Sequence, residues 1–272
     1  TIEPRYHTTR LCVIDPTVGV MTAGQASAVG GTNGAIETLS TGHRVRLPLS
    51  THATMTGAVL SADRDAVRDL LPAGLEPIRA TPSRAAVTFL CVDYDRIGRR
   101  GEITPYDEFG VLLPAVHDGS ETLPFASVFT HGFGGFVWYL PVTTEPAKAL
   151  GVDVWGYPKE VADVTHREEG STRHTSVRVD GRHLIDVSVD RPPTVPRSDS
   201  GASYTATDGR VLRERTELNG DVGVWPYSTG VSYTLGEHPR AETLRGLDLG
   251  DRALLRFAAD TEFVIHAGAV VG

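Results

Sequence analysis

The sequence TSVRVDGRHLIDVSV at residues 175–189 has the pattern of a β-hairpin. Apolar and polar residues alternate on both sides of Asp180-Gly181, which is typical of two half-buried strands joined by a two-residue turn. Similar short apolar segments recur elsewhere in the chain, at 56–61, 85–94, 109–116 and 127–140. Many short strands with few helical segments predict a mainly β fold.

Two segments instead have the punctuation of short helices. Residues 63–71 begin at a capping Asp63 and stop before a Pro-Ala-Gly sequence. Residues 143–151 begin with a threonine cap and carry Pro146 in the first turn, and Gly151 is expected to end them. A loop is expected at 191–202, which is rich in proline and serine.

Composition and charge limit the classes of protein that fit. The chain has 272 residues, of which 40% are hydrophobic, so disorder throughout is excluded. A net charge of −8 disfavours nucleic acid and anionic membranes as partners. No apolar run reaches the roughly 20 residues that span a bilayer, and the stretch 11–21 is interrupted by Asp15-Pro16. We therefore expect a soluble, cytoplasmic protein.

Few residues in this sequence suggest a metal site or a disulfide framework. Cys12 and Cys91 are the only cysteines, and the ten histidines form no compact ligand set. We expect no metal and no cofactor. Residues 1–45, rich in small residues, are expected to form an N-terminal arm or lead-in, and residues 46–272 a single domain.

Lysine is scarce in this chain, and one of its two lysines lies in an unusual place. Lys159 follows a proline within WGYPKEVA at 155–162, where Trp155 and Tyr157 suggest an apolar pocket. Burial disfavours the charged form of an amine, and a neutral amine can attack a substrate carbonyl to form a Schiff base. Arginine cannot replace it in this role. The alternative is a lysine that protects the edge of a strand.

Three segments resemble the acetoacetate decarboxylase family. They are YLPVTTEPAKALGVDVWGYPKEVADV at 139–164, YDEFGVLLPAV at 106–116 and SADRDAVRDLLPAGLEP at 61–77. Weaker similarity extends the resemblance over roughly residues 51–267. The resemblance implies an antiparallel barrel or funnel-like sheet with a few short helices, a β-rich α+β fold, and a homo-oligomer.

The resemblance also implies roles for individual residues. Lys159 matches the family's Schiff-base lysine, and Glu108 matches its active-site glutamate. Tyr157 and Tyr139 match recurrent aromatic residues of the substrate pocket. Without the resemblance, Glu108 could equally be a solvated loop acid, since other acidic residues are close to it in sequence.

The chain departs from the family pattern at several pocket positions. The position of the family's active-site arginine falls near His52, where this chain has no arginine. Leu90 stands where the family has an acidic residue. Glu160 replaces a second lysine, but successive side chains of a strand face opposite sides, so it is expected to face away from Lys159. Glu262, a charge within an apolar strand, is either a further pocket residue or an outward-facing acid.

These observations predict a cofactor-free lyase acting on a small oxo acid. Decarboxylation of acetoacetate or another β-keto acid through an imine on Lys159 is the first hypothesis. An aldolase, dehydratase or cyclase that acts on an α-keto acid in secondary metabolism is the second. A non-catalytic β-barrel that binds a small ligand is the third.

Overall fold

A computed structural model describes residues 31–117 and 134–271, and these residues fold mainly into β-strands. In chain order, the strands are β1 (Ile36–Thr38), β2 (Arg44–Arg46), β3 (Leu49–Asp63), β4 (Leu75–Pro77), β5 (Arg84–Ile97), β6 (Tyr106–Leu113), β7 (Ala115–His117), β8 (Gly134–Val142), β9 (Lys159–Val161), β10 (Asp163–Glu169), β11 (Thr172–Val179), β12 (Arg182–Asp190), β13 (Val195–Thr207), β14 (Arg210–Ser228), β15 (Val231–Leu235), β16 (Ala253–Ile265) and β17 (Ala269–Val271). The helices within these residues are α1 (Arg64–Asp69), α2 (Glu145–Trp155) and α3 (Pro239–Gly246).

The largest sheet closes on itself. Its strands follow the order β13-β14-β16-β3-β5-β6-β8, and β8 then pairs in parallel with β13, from Ala202↔Gly134 to Tyr204↔Phe136. A Cβ atom at Gly134 would lie 1.8 Å from the carbonyl oxygen of Ala202, so this strand contact depends on the glycine. The predicted mainly β fold, with a barrel-like sheet and a few short helices, is confirmed.

A second sheet covers one outer face of the barrel. Its strands follow the order β10-β11-β12-β15, all antiparallel. Apolar side chains of both sheets meet in what we call the outer core, among them Phe89, Phe109, Val177 and Leu184. Because successive side chains of a strand face opposite sides, residues that alternate with these on β5 and β6 point into the barrel.

The hairpin and both helix starts predicted from sequence are confirmed. Asp180 and Gly181, both with positive φ, join β11 to β12. The Asp63 side chain accepts a hydrogen bond from the Ala66 amide at 2.9 Å, which caps α1. Thr144 caps α2 in the same way, with the Ala147 amide as donor at 3.3 Å.

Two sequence-based predictions about local structure are wrong. Helix α2 continues through Gly151 to Trp155, since glycine lowers helix propensity without removing a backbone hydrogen bond. Residues from Val195 onwards form a strand, β13, not a loop. The strand tolerates Pro196 because this residue is exposed and pairs on one side only, with β14, whereas β8 pairs with residues 202–204.

The described part of the predicted N-terminal arm forms the hairpin β1–β2. Leu39 and Val45 are buried in what we call the inner core, which includes Trp155 and Tyr157. Residues 1–30, with Cys12, lie outside the described residues, and the boundary at residue 45 stays a prediction. Cys91 is buried and free. No helix in the described ranges is long and apolar enough to cross a membrane.

Candidate active site

The end of α2 and the strand that follows it determine where Lys159 lies. Gly156 ends the helix in the left-handed conformation, at φ 68°. The amides of Gly156 and Tyr157 then donate to the carbonyls of Val152 and Gly151, each at 3.0 Å, as in a glycine-terminated helix. Two residues later β9 pairs in parallel with β8, with Lys159 opposite Leu140. The chain therefore returns to the barrel directly after the helix.

Gly151 makes room for the Lys159 side chain. A Cβ atom at residue 151 would lie 2.5 Å from both Cδ and Cε of Lys159. The aliphatic part of the lysine thus crosses the helix where the helix has no side chain. This contact explains why a glycine occupies the interior of α2.

Glu108 meets the lysine from β6, which lies on the other side of β8 from β9. On β6, Phe109 and Val111 belong to the outer core, so Glu108 faces the barrel interior. Lys159 Nζ donates to Glu108 Oε2 at 2.6 Å, and each side chain is only 5% exposed. The nitrogen also lies 5.3 Å from the centre of the Tyr106 ring. Both charges would be costly to bury alone, so each requires the other.

A small cavity of about 80 Å³ surrounds this pair. Aromatic and aliphatic side chains form most of its wall, including Trp155, Tyr157 and Leu90. Among the described residues, no arginine lines it. Leu90 is the residue that stands in place of the expected acid, and here it contributes apolar surface.

Aromatic side chains hold the walls of the cavity in place. Trp155 and Tyr157 stack at 5.5 Å between ring centres, and Trp155 Nε1 donates to the carbonyl of His266 at 2.9 Å. The ring centres of Tyr94 and Tyr106 lie 4.8 Å apart. Burial raises the pKa of Tyr94 and Tyr106 well above the usual value, and the nearby charge of Glu108 raises it further. Both phenols therefore stay neutral at physiological pH.

The structure brings four of the seven predicted site residues together: Lys159, Glu108, Tyr157 and Trp155. The other three lie outside the residues that line the cavity. Tyr139 is buried in the outer core, where the Arg240 guanidinium lies 4.8 Å from its ring centre.

His52 and Glu262 belong to a polar region away from the cavity. His52 contacts Asp95 at 2.9 Å and Asp260 at 3.3 Å, and its side chain is about one-third exposed. Glu262 forms an ion pair with Arg96 and accepts a hydrogen bond from Ser50 at 3.0 Å. The outward-facing interpretation of Glu262 fits this placement.

Glu214 is a buried acid near the cavity that the sequence analysis missed. It lies on β14 opposite Ser203, and the Ser203 side chain interacts with Tyr157. Apart from its own backbone amide, neither carboxyl oxygen has a hydrogen-bond partner among the described residues. Burial raises the pKa of Glu214 to about 9, so the group is a neutral acid at pH 7. The sequence signal for its burial was its position in the alternating series Leu212, Glu214, Thr216 and Leu218, which shares one face of the strand.

The fold and the site together define the class: a closed β-barrel protein whose interior cavity holds one lysine amine paired with a carboxylate. Within it, the chain belongs to the acetoacetate decarboxylase family, whose model matches residues 39–209. No similar sequence was found among curated proteins.

Several solved structures have the same fold. Acetoacetate decarboxylase from Legionella pneumophila is 18% identical, with 83% of this chain and 87% of that chain covered and a TM-score of 0.59. The enduracididine biosynthesis enzyme MppR complexed with pyruvate is 19% identical, with 86% and 95% covered and a TM-score of 0.58. An acetoacetate decarboxylase-like enzyme from Sphingomonas wittichii RW1 is 16% identical, with 82% and 92% covered and a TM-score of 0.53.

Proposed function

We propose that this protein is a Schiff-base-forming lyase that acts on a small oxo acid, and that its reaction is decarboxylation of a β-keto acid. The observation that carries the proposal is the 2.6 Å contact between Lys159 Nζ and Glu108 Oε2 inside an apolar cavity. An amine needs a proton acceptor at this distance to become a nucleophile. Membership of the acetoacetate decarboxylase family supports the same chemistry.

The first half of the reaction forms the imine. Glu108 takes a proton from the ammonium of Lys159, and the neutral amine adds to the ketone carbon of the substrate. The carbonyl oxygen takes one proton from the attacking nitrogen and one back from Glu108, and it leaves as water, which gives a positively charged iminium and a Glu108 carboxylate. This cation takes the place of the lysine charge opposite Glu108, so the ion pair at the centre of the site is retained.

The second half releases carbon dioxide. The bond between the carboxylate and the adjacent carbon breaks, and its electron pair moves towards the iminium nitrogen to give a neutral enamine. Glu108, a carboxylate after imine formation, relays a proton from solvent to the enamine carbon. Water then hydrolyses the resulting iminium to a ketone and the ammonium form of Lys159. The apolar wall favours this step because a carboxylate is costly to bury whereas carbon dioxide is neutral.

An alternative keeps the same iminium and changes the outcome. Among the structural matches, MppR is complexed with pyruvate, and also with the condensation product of pyruvate and imidazole 4-carboxaldehyde. Two departures from the decarboxylase pattern, Glu160 and the absence of an arginine at the sequence position of His52 and Ala53, favour an aldolase, dehydratase or cyclase on an α-keto acid. A barrel that binds a small ligand without reaction remains a third candidate.

Product analysis with matched lysine variants tests these proposals. The wild type, Lys159→Ala and Lys148→Ala are incubated with acetoacetate and, separately, with pyruvate plus an aromatic aldehyde. We expect carbon dioxide from acetoacetate with the wild type and Lys148→Ala but not with Lys159→Ala. Condensation of pyruvate without carbon dioxide release would favour the alternative reaction. Activity that survives in Lys159→Ala would contradict both.

A further inference from the structure

A second cavity adjoins the one that surrounds Lys159. It has a volume of about 130 Å³ and lies inside the barrel. The two cavities share five lining residues: Leu90, Tyr94, Leu112, Ser203 and Phe263. We call this second space the barrel chamber. The shared wall makes the chamber a continuation of the space at the lysine.

The barrel chamber leads away from Lys159 along the strands. Its wall includes every second residue over part of β16, at Leu255, Phe257 and Ala259, with Phe263 at the junction. On β3, Met55 lies opposite Ala259, and Val59 lies opposite Leu255. These positions face the same side of the sheet, as the alternation of a strand requires. The chamber is therefore a defined internal space of the fold.

The chamber is lined by uncharged residues alone, among the described parts of the chain. Its volume is about ten times what one water molecule needs, whereas native interiors contain few voids larger than a water molecule. Apart from the hydroxyl groups of Thr88, Tyr94, Ser203 and Thr216, the side chains of its wall are apolar, and cavities lined by apolar side chains bind apolar ligands. A charged group placed there would be buried without a partner, at a cost of several kcal/mol. The chamber thus selects an apolar occupant.

We propose that the substrate is an oxo acid with an unbranched alkyl substituent, whose reacting carbonyl lies at Lys159 and whose alkyl chain fills the barrel chamber. This inference rests on the proposed function, since it assigns a substrate class to the same lysine. Burial of the substrate's alkyl chain supplies binding energy. In a pocket with an arginine, that energy would come from pairing with a second charged group of the substrate. Leu90 and Phe263, which line both cavities, contact the first carbons of the alkyl chain.

The decisive experiment measures binding of the methyl ketones that decarboxylation would release. Methyl ketones with four, six and eight carbons are titrated into the wild type by calorimetry, without turnover. We expect the dissociation constant to fall about fourfold for each added methylene, as for burial of a CH₂ group. Across the series, which adds four methylenes, the gain is about 250-fold. Wild-type dissociation constants that agree within about twofold across the series would overturn the inference. This titration needs no variant.

A matched pair of variants locates the bound alkyl chain. Ala259→Leu narrows the chamber, whereas Ala269→Leu makes the same change at an exposed position on β17. We expect the gain with chain length to disappear in Ala259→Leu and to persist in Ala269→Leu, with thermal unfolding confirming that both are folded. A gain that persists in a folded Ala259→Leu would place the alkyl chain elsewhere and overturn the inference.

Borohydride reduction with pyruvate separates failure of this inference from failure of the proposed function. An adduct on Lys159 together with flat ketone affinities would overturn the substrate class alone. No adduct with any oxo acid would overturn the proposed function, whatever the ketones show.

Discussion

At the scale of single residues, the site depends on two charges that can be buried only together. Lys159 and Glu108 are each 5% exposed and in direct contact. Removing one partner of a buried pair leaves the other uncompensated, which costs about 3 to 5 kcal/mol. Replacing both with apolar residues is often neutral or stabilising. The pair is therefore explained better by chemistry than by stability.

A double-mutant cycle tests this explanation. We expect Lys159→Met to lower the free energy of unfolding by about 3 to 5 kcal/mol, because Glu108 loses its partner. Addition of Glu108→Leu should restore most of that loss while catalysis stays absent. Denaturant unfolding at pH 7 measures both effects. If the two substitutions were simply additive in their cost, the pair would not be coupled as the structure shows it.

Glu214 gives a prediction about pH. Its pKa is raised to about 9 in the folded protein, so between about pH 4.5 and pH 9 the native state holds a proton that the unfolded state has released. Stability then falls as pH rises, by up to about 1.4 kcal/mol per pH unit. We expect Glu214→Gln to stabilise the protein more at pH 8 than at pH 5, in urea unfolding at both pH values.

Glu237, an exposed acid, provides the control for that measurement. Glu237→Gln changes the same functional group where water solvates it in both states, so we expect the pH dependence of stability to remain as in the wild type. If Glu214→Gln left the pH dependence unchanged as well, Glu214 would not be a buried neutral acid.

The site residues differed in how far the sequence could predict them. The unusual context of Lys159 and the family resemblance led to Lys159 and Glu108, and the structure places them in contact. Tyr139 was misplaced because Trp138 and Tyr139, although neighbours in a strand, both pack in the outer core. Glu214 was missed because a buried acid without a partner is rare, and because Tyr157, whose pKa it raises electrostatically, lies 57 positions away in the chain.

At the scale of elements, helix α2 and strand β9 position the lysine. The helix supplies Trp155 and the gap at Gly151, and its left-handed end at Gly156 returns the chain to β8. The sequence predicted where the helix begins because a cap is a local signal. It did not predict where the helix ends, because the reason for Gly151 is a side chain eight positions later.

Gly151→Ala tests this arrangement. Its Cβ would lie 2.5 Å from the lysine side chain, so Lys159 must shift. A displacement of about 1 Å in a reacting group can cost on the order of a hundredfold in rate. We expect a loss of that size in kcat/KM. Helix propensity alone would not destabilise the variant, since alanine is favoured over glycine by up to about 1 kcal/mol.

Gly246→Ala on α3 is the matched control, because a Cβ atom there would meet nothing within 4 Å. We expect its kcat/KM to equal that of the wild type. A Gly151→Ala enzyme with full activity would show that the lysine does not depend on this gap.

At the scale of the whole molecule, the barrel separates a packed outer core from an incompletely filled interior. The alternating strands were predicted from sequence, since period two is visible within each segment. The barrel was implied only by the family resemblance and not by any local pattern, because the β8–β13 pairing that closes the sheet joins residues far apart in sequence and is in parallel orientation. An apolar pocket at Lys159 was predicted from Trp155 and Tyr157, but the barrel chamber was not, since it depends on side chains from several strands.

Two leucine substitutions test the separation. Leu184→Ala in the outer core should lower the free energy of unfolding by about 2 to 5 kcal/mol and leave kcat/KM unchanged under conditions where the protein is folded. Leu140→Ala, in the wall of the Lys159 cavity, should lower both. Equal losses of kcat/KM in both variants would argue against two separate regions.

The central claim is that Lys159 forms a covalent imine, and mass spectrometry after reduction tests it most directly. The protein is incubated with pyruvate or acetoacetate, reduced with borohydride and digested. Lys148, about 40% exposed beside Glu145, is an internal control, since it is the only other lysine of the chain. We expect one adduct, on the peptide that contains Lys159. An adduct on Lys148 alone, or none with any oxo acid tested, would contradict the account.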